Sequence, residues 1–159
     1  MADERARREA KLERLILAIS DMADTAEAAR HLRGPRGGIS DLPWHARRAL
    51  ETGMFTSYAR AFNKSKGVPP LPAAPTSDLS PSERATHNWA LDERKRVWAH
   101  VDRTGHRRIT GVQPGPPVAF TEEWIPPTPE QFQALAELAE KLQERYRVEA
   151  EELWHELQK

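Results

Sequence analysis

The stretch TPEQFQALAELAEKLQERYRVEAEELWHEL, residues 128–157, decides the fold of this chain. Its apolar side chains recur at three- and four-residue steps, the period of a helix with one buried stripe. They are Phe132, Leu135, Leu138, Leu142, Tyr146, Leu153 and Leu157. Thr128 followed by Pro129 is typical of a helix start. Because Arg145 and Glu149 interrupt a strict heptad, the pattern favours a bundle helix over a long coiled coil.

Two further helices are predicted in the first half of the chain. One runs from about residue 4 to about residue 33 and stops before Gly34-Pro35. Its apolar stripe contains Leu12, Leu15, Ile16, Ile19, Met22, Ala23 and Ala26. The other follows Ser40-Asp41-Leu42-Pro43, a capping residue with proline at the helix start, and ends near residues 63–67. Each helix has a single apolar stripe, so each needs a helical partner.

The third of the four helices has the clearest N-terminus. Ser80-Pro81-Ser82-Glu83 combines an N-cap serine, proline at the first helical position and glutamate at the third, which is a capping box. This helix is expected to end near residues 100–102. Together with the C-terminal helix, the segments predict an all-α, four-helix bundle that forms one domain over residues 1–159.

Two irregular stretches separate the predicted helices. Residues 67–79 are proline-rich and predict an extended connector. Binding of a partner domain by this tract is the less favoured alternative. Residues 103–128 are predicted to be an irregular insertion before the last helix, with segments 106–112 and 118–121 as the candidate strands of a small hairpin.

Composition and charge restrict the classes of function. The 159 residues include 24 basic and 24 acidic side chains, so the whole molecule is not an obvious nucleic-acid binder. The absence of cysteine excludes disulfides, thiolate metal sites and cysteine nucleophiles. With no membrane-spanning run and no secretory signal, a cytoplasmic protein is expected. The charge is nevertheless uneven, because residues 94–108 hold six Arg or Lys and one Asp, and residues 129–159 hold eight Glu and four Arg or Lys.

Arg94 and His100 are the candidate catalytic residues. A guanidinium binds and neutralises a phosphate, and an imidazole moves a proton near neutral pH, so this pair suffices to cleave RNA without a metal. Such a pair is expected by chance in a chain rich in arginine, so the prediction depends on its place at a helix end beside a basic segment. On a regular helix Arg94 shares a face with His87 and not with His100. The alternative is that both residues form structural ion pairs, for example with Glu93 or Asp102.

The segment Arg94-Lys-Arg-Val-Trp-Ala-His100, followed by Val101-Asp102, resembles the Arg-x(4–6)-His motif of the HEPN superfamily. Its position on the third of four helices is similar too. The resemblance implies an all-α domain, usually dimeric, in which the motifs of two protomers form one cleft. Many members are metal-independent ribonucleases, often toxins or phage-defence proteins, and others are non-catalytic binding or scaffolding domains. Lys95 stands where the family more often has Asn, Asp or His.

For this chain the resemblance implies an endoribonuclease in which Arg94 and His100 act on the scissile phosphate. The candidate ligands of flanking RNA phosphates are Arg96, Arg103, Arg107 and Arg108. The residues expected to line the cleft are His87, Lys95 and Asp102. Trp98 is a candidate for base stacking, although a tryptophan at helical spacing is more often a core residue.

The partners implied are RNA, a second copy of the chain, and a cognate antitoxin or another protein. No cofactor is predicted, and no metal site, because the histidines lack the spacing of metal-ligand pairs. The competing hypothesis is a non-catalytic HEPN-like bundle that binds a protein partner or a nucleotide.

Overall fold

The computed structural model describes residues 2–34, 41–63, 71, 78–98, 107–113, 119–124 and 127–159. The helices are α1 (Ala2–Arg33), α2 (Trp44–Arg60), α3 (Pro81–Trp98) and α4 (Pro129–Leu157). The strands β1 (Arg107–Gln113) and β2 (Ala119–Trp124) lie between α3 and α4 in the sequence. The helices pack as a bundle, so the predicted all-α, four-helix class is confirmed.

Helices α1 and α4 are the longest and pack antiparallel. Lys11 Nζ lies 2.7 Å from Glu149 Oε1, near the start of α1 and the end of α4. Arg33, the last residue of α1, donates a hydrogen bond to Gln133 near the start of α4. Between these two contacts the helices share a core of side chains that are at most 2% exposed. This core includes Leu15, Ala18, Met22, Leu135, Leu138 and Leu142. Each buried Leu or Met contributes about 1.5–3 kcal/mol of hydrophobic stabilisation.

Helix α2 runs antiparallel to α1. Arg60, its last residue, forms an ion pair of 2.8 Å with Asp21. The helix begins at Trp44, directly after Pro43 as predicted, but Pro43 is the N-cap and no side chain caps the helix. The predicted capping side chain is therefore wrong, since proline itself occupies the N-cap position. The regular helix ends at Arg60, and a tighter turn carries the chain to Asn63.

Helix α3 begins with the predicted capping box. The Ser80 backbone N–H donates to Glu83 Oε2 at 2.7 Å, and the Glu83 N–H donates to Ser80 Oγ at 3.3 Å. Lys141 of α4 also donates to Glu83, at 2.7 Å. This bond and the Ser80 N–H lower the pKa of Glu83 to about 2. The described helix reaches Trp98, and the end predicted near residues 100–102 lies outside the described residues.

The predicted start of α4 is confirmed, and so is the hairpin before it. Thr128 Oγ1 accepts from the Gln131 N–H at 3.3 Å, and Gln131 Oε1 accepts from the Thr128 N–H at 2.8 Å. Strands β1 and β2 pair antiparallel, with an irregularity between Ile109 and Gly111. Within the proline-rich connector, the described leucines Leu71 and Leu79 are buried in the core.

Candidate functional site

Helices α2 and α3 pack antiparallel, and two contacts fix their register. Tyr58 Oη lies 2.9 Å from His87 Nδ1. Two residues further along α3, Trp89 makes an edge contact with Phe55, with 5.3 Å between the ring centroids. Each step toward the end of α3 is therefore a step toward the start of α2, and these two helix ends lie at the same end of the bundle.

Arg94 lies on the inward side of α3, near this end of the bundle. It follows His87 by seven residues on a continuous helix, so the two share a face, as predicted. The α2–α3 register places Arg94 level with Glu51. Its Nε is buried and has no hydrogen-bond partner among the described residues. A buried N–H without a partner costs free energy, so Arg94 holds an unused donor inside the protein near this end.

Arg47 of α2 lies one turn closer to the end of the bundle. Its Nε donates to Glu51 Oε1 at 2.9 Å, and its side chain is 13% exposed against 1% for Glu51. The guanidinium carbon lies 6.0 Å from the centroid of the Phe132 ring at the start of α4. The Arg47 Nη2 is buried and, within the described part of the chain, also lacks a hydrogen-bond partner. Two arginines from different helices thus keep unused donors at this end.

The first turn of α2 adds an exposed aromatic ring. Trp44 is 55% exposed. The guanidinium carbon of Arg48 lies 5.2 Å from the centroid of its ring, within the range of a cation–π contact. We call residues 44–48 and 94–98 together the α2–α3 end; they hold five Arg or Lys and no Asp or Glu. Two of the five are paired with carboxylates just outside these ranges, Arg47 with Glu51 and Lys95 with Asp92. Anionic ligands with an aromatic part fit the charge and chemistry of such a surface.

His87 lies in the core, seven residues before Arg94 on α3. Its side chain is 4% exposed, and its ring packs edge-on against Phe62 with 4.8 Å between centroids. Burial lowers the pKa of His87 and raises that of Tyr58. At neutral pH a neutral imidazole and a neutral phenol therefore share one hydrogen bond that joins α2 to α3. The place at the cleft wall expected for His87 stays a prediction.

The other predicted site residues are only partly described. Three lie outside the described residues, namely His100, Asp102 and Arg103. Four lie in described helix or strand, but nothing is described of their side chains, and these are Arg96, Trp98, Arg107 and Arg108. Lys95 is exposed and forms an ion pair of 2.9 Å with Asp92. The structure thus brings Arg94 and Lys95 to the α2–α3 end and leaves the proximity of Arg94 and His100 as a prediction.

Sequence reasoning missed the contribution of α2 to this end. The signal was the run WHARR at residues 44–48. The positive end of the helix dipole favours acidic residues in the first turn, and α2 has none there. Two arginines at such a position mark an unusual helix start. Arg47 and Arg48 are far from Arg94 in the sequence. Only the packing of α2 against α3 shows that the three residues lie at the same end of the bundle.

A second surface lies at the opposite end of the bundle. A shallow groove there is lined by Arg5, Glu9, Leu12, Glu13, Trp154, Leu157 and Gln158. Trp154 is 52% exposed, and Ile16, further along α1, is 55% exposed. The charges around this groove are of both signs, unlike those of the α2–α3 end.

Across the described ranges, no group of three or more His, Asp or Glu is placed to hold a metal ion. None of the helices in these ranges combines the length and apolar character needed to cross a membrane. In comparisons with family models, with curated proteins and with solved structures, the chain gave no match.

Proposed function

We propose that the protein is a HEPN-like, metal-independent endoribonuclease of the toxin or phage-defence type. The observation that carries the proposal is Arg94, whose buried Nε has no partner among the described residues at an end of the bundle rich in arginine and lysine. Arg94 is only half-buried, and a guanidinium suits a phosphate oxygen. The four-helix bundle, with Arg94 on its third helix, also agrees with the arrangement that the motif resemblance implies.

In the proposed reaction the RNA 2′-oxygen attacks the adjacent phosphorus, and the bond from phosphorus to the 5′-oxygen breaks. The products are a 2′,3′-cyclic phosphate and a free 5′-hydroxyl. His100 takes the proton of the 2′-hydroxyl or supplies the proton to the leaving 5′-oxygen. Arg94 stabilises the negative charge of the pentacoordinate transition state. Flanking phosphates bind Arg96, Arg103, Arg107 and Arg108, so RNA binding weakens as salt rises.

A homodimer belongs to this proposal. Helix α3 is continuous from Arg94 to Trp98, and on a regular helix Arg94 and His100 point in different directions. A second copy that brings its own motif to the same cleft supplies the missing group. We therefore expect the active species to be a dimer, and dilution below the dimer dissociation constant to reduce specific activity.

The test is cleavage of a mixed RNA pool in EDTA, with identification of the product ends. The parent protein is compared with Arg94→Ala and His100→Ala. Arg84→Ala is the matched control, because Arg84 is an exposed arginine at the other end of the same helix. We expect cyclic-phosphate products from the parent and the control, and a loss of at least about 100-fold in the two motif variants. No cleavage by the parent, or equal cleavage by all four proteins, would overturn the proposal.

The second candidate function is a non-catalytic bundle that binds a protein partner, such as a cognate antitoxin. The groove beside Trp154 favours it, because a large exposed aromatic ring next to Leu12 and Leu157 is typical of a protein-binding surface. The same cleavage assay separates the two functions. An inactive parent whose Trp154→Ala variant loses a partner that the parent retains would favour this second function.

A further inference from the structure

We propose that Trp44, together with Arg48, forms a stacking platform for an unpaired base of single-stranded RNA at the α2–α3 end. The inference deepens the proposed function and rests on it, because it names the form of RNA that this site accepts. Its basis is the first turn of α2, which the sequence-based assignment of the site did not include.

Trp44 is better placed to contact a ligand than to pack in the core. A tryptophan offers a large apolar surface that is normally well buried, yet Trp44 is 55% exposed. The Arg48 guanidinium lies over its ring, at 5.2 Å from the centroid. This contact restrains the ring while most of its remaining surface faces solvent. A restrained and exposed aromatic ring is what base stacking requires, because every nucleobase has a π-face.

Basic side chains lie within one turn of this ring. Arg47 follows Trp44 by three residues, a spacing that brings the two onto neighbouring positions of the helix surface, about 5–6 Å apart at Cβ. Its side chain is 13% exposed and is held in place by its ion pair with Glu51. Arg94 lies on the facing helix, and its positive charge adds to that of Arg47. A nucleotide carries a base and a phosphate a few ångströms apart, and this surface offers a partner to each.

The same features favour single-stranded RNA over a duplex or a protein. In a duplex each base is stacked between its neighbours, so its face is not available to a side chain, whereas unpaired bases stack readily on aromatic rings. A protein surface contains carboxylates less regularly spaced than the phosphates of RNA, and the first turn of α2 combines its exposed ring with Arg47 and Arg48. Trp154 has a similar exposure of 52% but lies in a groove lined by charges of both signs.

The chain therefore contains its own control for the experiment. The probe is a short, labelled single-stranded RNA with 2′-O-methyl sugars, which cannot be cleaved by 2′-oxygen attack. Its affinity is measured at low salt for the parent, Trp44→Ala, Trp44→Phe and Trp154→Ala. We expect about a tenfold or greater loss for Trp44→Ala, retention of most affinity for Trp44→Phe and no change for Trp154→Ala. A duplex of the same sequence should bind more weakly and show no dependence on Trp44.

Several results would overturn the inference. They are a Trp44→Ala affinity equal to that of the parent, an equal loss for Trp154→Ala, or duplex binding as tight as single-strand binding. Thermal unfolding of each variant verifies that the fold is retained. Binding that depends on Trp44 without any cleavage of natural RNA would support the platform and overturn the proposed catalysis. If Trp44→Ala cleaves RNA with the same rate and KM as the parent, the stacking platform is overturned and the proposed catalysis is not.

Discussion

Helices α4 and α2 both contribute to the core, but they bury different chemistry. The buried residues of α4 are all apolar apart from Tyr146. Helix α2 is shorter, yet it buries Glu51, Ser57 and Tyr58 beside its apolar residues. An apolar stripe stabilises a bundle with little demand on geometry, whereas buried polar groups require partners at defined positions. The comparison indicates that α4 supplies stability, while α2 fixes the arrangement of its neighbours.

Polar contacts hold α2 on the side facing α1 as well. Arg14 of α1 is buried and donates to the Arg60 carbonyl oxygen. Asp21 pairs with the Arg60 side chain at 2.8 Å. Burial raises the pKa of Asp21, and the charges of Arg60 and Arg14 oppose this shift. Helix α2 is thus held against α1 at its C-terminal end by a hydrogen bond and an ion pair.

The largest effect on stability is expected from breaking the buried pair of Glu51 and Arg47. Glu51→Ala leaves the Arg47 charge in a poorly solvated site, and we expect a loss of about 3–5 kcal/mol in the free energy of unfolding. The double variant Arg47→Met with Glu51→Leu removes both charges and should cost much less. Urea denaturation measures both. If the single and double variants were equally destabilised, the ion pair would not explain the cost.

A slightly smaller loss in the free energy of unfolding is expected when a side chain of the apolar stripe of α4 is truncated. Leu142 is 1% exposed, and Leu142→Ala should cost about 2–5 kcal/mol, through lost burial and the cavity left behind. Val148, on the same helix, is 42% exposed, and Val148→Ala should change stability by at most about 0.5 kcal/mol. Similar losses for the two variants in urea denaturation would contradict the assigned burial of the stripe.

The hydrogen bond between His87 and Tyr58 predicts a pH dependence of stability. Burial holds the pKa of His87 below its usual value of 6.5, so the unfolded chain binds a proton more readily than the folded one. This contribution to stability is complete above pH 6.5 and is lost as the pH falls below it, with a slope of at most about 1.4 kcal/mol per pH unit. The difference in stability between the parent and His87→Gln should therefore shrink between about pH 7 and pH 5. The exposed His31→Gln variant serves as the control, and a difference that stays constant with pH would contradict the account.

The smallest effect is expected at the cap of α4. Thr128→Ala removes the acceptor of the Gln131 N–H and should cost about 1 kcal/mol, while Thr128→Ser keeps the oxygen and should cost little. Because Thr128 caps α4, the helix to which we assign stability, RNA cleavage per folded molecule should not change. A loss of cleavage in Thr128→Ala at full folding would show that α4 does more than support the bundle.

The parts of the fold that local sequence encodes were predictable. The caps at Ser80 and Thr128 depend on neighbouring side chains and are confirmed. The start of α2 after Pro43 was predicted correctly, but its side-chain cap was wrong because proline itself occupies the N-cap. Ile16 was assigned to the buried stripe of α1 and is 55% exposed, because the stripe turned toward the other helices is narrower than the apolar pattern.

The candidate site was only half predictable, because it combines two helices. Arg94 was identified from its own helix. Its neighbours Arg47 and Trp44 depend on how α2 packs against α3, and helical periodicity carries no information about that register. The burial of Glu93 was equally hidden, since a glutamate in a helix is usually a solvated residue.

The most direct test of whether the α2–α3 end serves catalysis while α4 serves stability compares Arg94→Ala with Leu142→Ala. Two quantities are measured, RNA cleavage per folded molecule and the free energy of unfolding. Removing Arg94 also removes a buried N–H without a partner, so its stability should stay within about 1 kcal/mol of the parent while cleavage is lost. Leu142→Ala should show the reverse, with lower stability and unchanged cleavage by the folded fraction. An Arg94→Ala protein that keeps its cleavage activity, or loses it only in proportion to its stability, would contradict the assignment of the α2–α3 end as the site.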